Sequence, residues 1–204
     1  MGSTKELPPL YLDALREIGN IGIGNAATAL AGLLGTRVNI TVPTAVFQPL
    51  EDVLAGVGGL EEPVAGVHLR IDGDLKGTVL YLFNQESAFY LVDMLLGQPR
   101  GATGELDALG RSVIAEAGNI LTGAFVSAIA GMTGLKLLPA VPMFAFDMLG
   151  AVVTASFAAS GCEDLVLLIE TDFIQEAERV KGHFIMLLQP GYLETILAAL
   201  GIAL

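Results

Sequence analysis

Hydrophobic and polar positions alternate between two rhythms along this chain, and the order in which they do so occurs twice. Helical spacing over about 9–34 ends at Gly35, and helical spacing over about 106–133 ends at Gly134. A glycine just past the last periodic residue is a helix stop. Strand-like runs follow at 37–47 and 136–143, then helical pieces, short and glycine-interrupted around 49–56 and longer at 146–159. Hairpin patterns cover 64–71 with 76–83, turning through Asp72-Gly73-Asp74, and 164–173 with 181–188. Amphipathic helices at 86–96 and 190–200 close the two sets, each ending in Leu-Gly. The pattern predicts an α/β (α+β) chain of two helix–strand–helix–hairpin–helix units that share a mainly antiparallel sheet about a pseudo-twofold. The halves span about 9–97 and 106–201 of a single domain, 1–204, because the linker near 98–104 is too short to separate two globules.

The repetition also holds residue by residue. Displaced by 99 positions, 13–43 overlies 112–142 without a gap, and 11 of those 31 positions are identical. Among them are Glu17 with Glu116, Gly19 with Gly118, Asn20 with Asn119, Gly24 with Gly123, and Pro43 with Pro142. Lys76-Gly77 and Lys181-Gly182 match at 105 instead, which places the extra length of the second half around 175–179.

Composition raises a competing possibility. Hydrophobic residues make up 53% of the chain and charged residues 16%, with a mean hydropathy of +0.65. The stretches 18–36 and 117–135 carry no charge and are about as long as a bilayer span. Both are rich in Gly, Asn and Thr and lack an aromatic belt or basic flank, so they read as buried core helices, with no membrane insertion. A net charge of −12 without a basic stripe argues against nucleic acid. The acids divide evenly between the halves, so the charge serves solubility. Cys162 is the only cysteine and sits beside Glu163 and Asp164, which rules out an internal disulfide and disfavours a thiolate nucleophile. With no apolar run in the first nine residues, a cytoplasmic location is expected.

Asp13, Glu17, Asn20 and Gly24 recur at spacings that put all four on one stripe of a helix. Ser112, Glu116, Asn119 and Gly123 repeat the stripe, and Ala14, Ile18, Ile21 with Val113, Ala117, Ile120 are expected to face the core. A single Glu-x-x-Asn would be an ordinary wet helix face. Two copies at one offset, each with a glycine one turn on and a proline 23 positions after the Asn, argue for chemistry. Neither side chain is a conventional nucleophile, and Ser112 has no His or Lys nearby to activate it. The stripe also lacks a cation to hold a phosphate. The pair makes sense if a partner supplies the cation: Glu pairs with a partner lysine, and Asn orients a water. Gly24 and Gly123 would admit the partner's backbone. Phosphoryl transfer suits such a device, because positioning carries most of its rate.

Other motifs fail on context. Gly22-x-Gly24-x-x-Ala27 fits a loose dinucleotide pattern, but a helical segment precedes it and no acid follows until Glu51. His68 and His183 lie on strand-like runs and form no metal set. Asp72 and Asp74 read as turn residues.

The doubled pattern [D/S]-x-x-x-E-x-x-N, then 22 residues and a Pro, resembles the signature of the CheC/CheX/FliY phosphatases of bacterial and archaeal chemotaxis. LREIGNIGIGNAATAL at 15–30 is similar to the family's first motif helix, and PGYLETIL at 190–197 to the entry of its C-terminal helix. The resemblance implies removal of the phosphoryl group from the aspartyl-phosphate of the response regulator CheY-P. It implies two sites, Glu17 with Asn20 and Glu116 with Asn119, supported by Asp13, Pro43, Ser112 and Pro142. It further implies no cofactor of the chain's own, Mg²⁺ on the phosphorylated regulator, and the receptor deamidase CheD as a second partner. Two intact motifs resemble CheC or the FliY core more than CheX. The alternative is a binding module that sequesters CheY-P and regulates CheD without turnover.

Overall fold

The computed structural model describes residues 13–14, 17–18, 20–22, 24–26, 28–29, 39–157, 165–175, 178–189 and 191–201. Gly19, Gly35 and Cys162 lie outside them, as does the side chain of Pro43. The described residues between 13 and 29 are helical and are called α1. There follow β1 (Asn39–Pro49), α2 (Leu50–Val57), the hairpin β2 (Pro63–Gly73) and β3 (Gly77–Asn84), and α3 (Gln85–Leu96). The second half consists of α4 (Ala108–Thr133), β4 (Leu137–Pro139), β5 (Met143–Met148), α5 (Leu149–Phe157), the hairpin β6 (Leu165–Gln175) and β7 (Glu178–Leu188), and α6 (Tyr192–Ala199).

The seven strands form one sheet in the order β1-β6-β7-β3-β2-β4, with β5 also on β2, and every pairing is antiparallel. The halves exchange strands: β1 of the first lies on β6 of the second, and β5 of the second on β2 of the first. The registers make the symmetry explicit. Phe47 pairs with Leu167 and Phe146 with Ala65, so 47 and 146 are 99 apart while 65 and 167 are 102 apart. Val67 pairs with Tyr81 and Ile169 with Phe184, which sets β3 and β7 103 apart. Tyr81 and Phe184 then pair with each other, and the pseudo-twofold passes between them.

These registers correct the expected place of the insertion. Because 99 grows to 102 between α5 and β6, three extra residues enter there and only one enters the hairpin. The Lys-Gly matches at 105 miss the structural equivalence by two residues. A shift of two keeps every side chain on its own face, so the sequence match carries no signal against it. A second correction concerns the strand expected at 136–143, which is two strands. Pro142, with no N–H to give a ladder, stands between β4 and β5. Beyond it 143–148 is extended, so α5 begins at Leu149 instead of 146. Pro43 lies at the matching irregularity, where the β1–β6 register shifts between Thr41 and Thr44.

The sheet has a core on each face. Val79, Tyr81, Phe83, Phe173 and Phe184 point into the larger one, together with Ile18 of α1 and buried residues of α3, α4 and α6. Leu80, Leu82, Ile185 and Leu187 point the other way, against α2 and α5. Strands buried on both faces read as continuous apolar runs, as β3 does. Inside the larger core Tyr81 Oη bonds Thr171 Oγ1, which donates to the Gly182 carbonyl at 3.0 Å. Burial pushes the Tyr81 hydroxyl well above its ordinary pKa.

The linker between halves is fastened by one buried acid. Asp93 of α3 is fully buried and accepts from Gly101 N (2.7 Å), Thr103 N (2.8 Å) and Thr103 Oγ1 (2.6 Å). Asp93→Ala would strand three donors and is expected to lower stability by about 2–4 kcal/mol. Urea unfolding checks this, and an unchanged midpoint would refute it.

Candidate functional site

The two long helices carry the stripes. On α4 the Asp107 side chain caps the first turn, accepting from Gly110 N at 2.8 Å, and Gly134 ends the helix in the left-handed region at φ 71°. Ile114, Ala117, Leu121 and Phe125 form its buried line. On α1 that line is Ile18, Gly22 and Ala26. The expected core flank holds at Ile18 and Ala117, which are buried, and at Val113 and Ile120, which pack against the core, and departs at Ile21. Ala14 is half-buried and Ile21 is 37% exposed, while Val113 and Ile120 are half-buried. Glycines let the helices approach their neighbours closely: a Cβ on Gly22 would lie 2.8 Å from Phe125 Cα, and one on Gly118 2.7 Å from Val67. Helix α4 is long and apolar enough to cross a bilayer, and half of its most apolar stretch is buried inside the protein.

Opposite the buried lines the stripes face outward. Asp13, Glu17, Asn20 and Gly24 are exposed on α1; Ser112 and Glu116 are exposed and Asn119 and Gly123 half-buried on α4. No described residue bonds Glu17, Asn20, Glu116 or Asn119. A Cβ on Gly24 or Gly123 would meet nothing within 4 Å. These two glycines, unlike Gly22 and Gly118, have no packing reason within the described residues. Each Glu and Asn, three apart, are neighbours on the helix surface, close enough to act on one partner group. Pro43 lies within β1, and Pro142 stands between β4 and β5, two strands that both touch α4.

Sequence reasoning did not single out Ile21 and Ile120 as surface residues. Each follows the Asn, and both offer apolar area beside it. Their identity at the 99-residue offset was visible; helical periodicity assigned both to the core, and Ile120 does pack against it while keeping part of its surface open.

The remaining titratable groups stand elsewhere. His68 and His183 lie on β2 and β7, and burial lowers the pKa of each. Asp74 is more than a turn residue: its Oδ2 accepts from Lys136 N at 2.8 Å and its N–H donates to the Lys136 carbonyl at 2.9 Å, tying the first hairpin to the second half. Among the described residues no group of three His, Cys, Asp or Glu side chains could hold a metal ion.

Known proteins share this arrangement. A solved structure of FliY from Thermotoga maritima matches with a TM-score of 0.77 at 22% identity, over 96% of this chain and 98% of that one. A CheX–CheY–BeF₃–Mg²⁺ complex from Borrelia burgdorferi matches with a TM-score of 0.50 at 16% identity, over 82% of this chain and 95% of that one. These likenesses define the fold as that of the FliY and CheX class. The sequence pattern of the CheC-like family covers residues 10–47 and 109–144, both copies of the stripe. The CheY-P phosphatase CheC of Bacillus subtilis is 33% identical over 198 residues, 95% of each chain. The chain belongs to the CheC-like family.

Proposed function

We propose that this protein dephosphorylates CheY-P, with Glu17/Asn20 and Glu116/Asn119 as two separate sites. The observation that carries the reading is the doubled, outward-facing acid–amide pair, unpartnered among the described residues and set one turn before a glycine with open space above it. The names of relatives support the substrate: the B. subtilis relative is a CheY-P phosphatase, and the B. burgdorferi neighbour is a CheX–CheY complex.

In this reading the helix face inserts beside the regulator's aspartyl-phosphate. Glu17 or Glu116 pairs with a lysine of the regulator and fixes the approach, while Asn20 or Asn119 donates and accepts hydrogen bonds that hold a water in line with phosphorus. Ile21 and Ile120 add apolar contact, and Gly24 and Gly123 leave room for the incoming backbone. The water's oxygen bonds to phosphorus as the bond to the aspartyl oxygen breaks, releasing phosphate and the free carboxylate. Any Mg²⁺ belongs to the regulator.

The test is phosphate release from a purified, phosphorylated receiver domain with each site disabled in turn. A Glu17→Ala/Asn20→Ala chain should retain the turnover of the second site, and a Glu116→Ala/Asn119→Ala chain that of the first. Tight binding of the phosphorylated receiver with no release by the native chain would instead mark a sequestering module.

A further inference from the structure

On the sheet face covered by α2 and α5, Ala155 and Ser156 of α5 stand across a gap from the far ends of β2 and β3. The gap is a cavity of about 600 Å³, well within the size range of small-molecule sites. Its lining is unusual for a chain with 22 acids and 10 bases. Arg70 and Lys76 both reach it, and among the described residues Asp72 is the only acid lining it. Arg70 Nε donates to Asp72 Oδ2 at 2.9 Å, and among the described residues the terminal guanidinium nitrogens of Arg70 have no bonding partner and Lys76 makes no ion pair. His68 contributes a buried Nδ1 without a hydrogen-bond partner among the described residues. Along the rim Val141 is 84% exposed and Met143 61% exposed.

The pseudo-twofold supplies an internal control. The equivalences of 102 and 103 carry His68 onto Glu170, Arg70 onto Asp172, Lys76 onto Arg179 and Thr78 onto Lys181. There Arg179 pairs with Asp172 at 3.4 Å, and the cavity is only about 110 Å³. The second copy neutralises and fills itself. The first keeps its volume, its cations and its apolar rim.

We propose that the larger cavity binds a small organic anion, its carboxylate or phosphate head on Lys76 and Arg70 and its apolar body against Met143 and Val141. Charge-assisted bonds from the two cations fix the head, the exposed apolar rim covers the body, and a head-group or hydroxyl atom satisfies His68 Nδ1. The site is on the opposite face of the sheet from α1 and α4, so it is independent of the phosphatase stripes.

The test is a ¹H–¹⁵N chemical-shift titration of the full chain with benzoate and with phenyl phosphate, and with benzyl alcohol as the uncharged control. At least one anion should give saturable shifts at the amides of His68, Thr78, Ser156 and Gln189, with none at Glu170 or Lys181. The tighter of the two names the head group. Lys76→Glu, at an exposed position that does not carry the fold, should weaken that anion about tenfold or more. Saturation by neither anion would overturn the proposal. So would equal binding of benzyl alcohol, equal shifts at the Glu170–Lys181 copy, or unchanged affinity in Lys76→Glu.

Discussion

A chain carrying both Asn20→Ala and Asn119→Ala is expected to release phosphate from a phosphorylated receiver at least ~100-fold more slowly than the native chain, the scale of losing a group that acts on the reacting water. The two amides must be removed together, because each stripe is complete on its own helix. The loss should fall on kcat, with KM little changed, since Glu17 and Glu116 remain to hold the partner. Stability should be nearly untouched: Asn20 is exposed, Asn119 half-buried, and neither bonds a described residue. Surface changes of that kind stay within about 0.5 kcal/mol. The steady-state assay with thermal unfolding alongside checks both halves of the expectation. Native turnover in the double variant would mean that the amides do not position the water. The paired glutamate variant, Glu17→Ala/Glu116→Ala, should show the complementary signature, a raised KM.

The second large effect separates glycines that look alike in sequence. Gly118→Val would drive a branched side chain into Val67, whose three outer carbons already lie within 2.9 Å of a Cβ at that position. Val67 is itself fully buried on β2 and cannot withdraw. Overpacking at so closed a contact is expected to cost about 3 kcal/mol or more. Gly123→Ala, five residues further along the same helix, should do the reverse. Its new methyl meets nothing, and relief of the helix-interior glycine is worth about 0.5–1 kcal/mol of added stability. On the approach proposed for the regulator the same methyl would stand in its way, so turnover at the second site should fall while stability rises. Urea midpoints and single-site phosphate release together decide it. A neutral Gly118→Val would show that the helix slides on the sheet, and an unimpaired Gly123→Ala would show that the partner does not come close there.

Much of this architecture was legible because it is local. The stripes, the hairpins and the glycine that ends α4 follow from spacing alone, and both Glu-x-x-Asn pairs lie on the outer faces of their helices, as periodicity required. The strand exchange was not legible. Placing β1 beside β6 and β5 beside β2 joins segments more than a hundred and about eighty residues apart, and no period within either strand encodes its neighbour. The misplaced strand at 136–143 has a sharper cause: the residues of 143–148 suit a helix as well as an edge strand, and only pairing with β2 decides. The core flank was read correctly at Ile18, Ala117, Val113 and Ile120 and missed at Ile21, which is as apolar as the residues actually buried. The basic cavity was invisible because its cations are far apart from Ser156 and Gln189 in the chain and meet only in the folded sheet.

The crossing of α1 and α4 explains something else about the duplicated chain. Gly22 lies against Phe125; their counterparts at the 99-residue offset are Leu121 and Ala26, and all four residues are buried. The repeats differ where the helices meet, small on α1 and large on α4. Two first halves brought together would set Gly22 over Ala26 and leave a hole, while two second halves would set Leu121 over Phe125 and collide. Each half therefore fits its sibling and not itself. A fused pair with such mismatched seams is guarded against like halves of two molecules pairing with each other in a crowded cell.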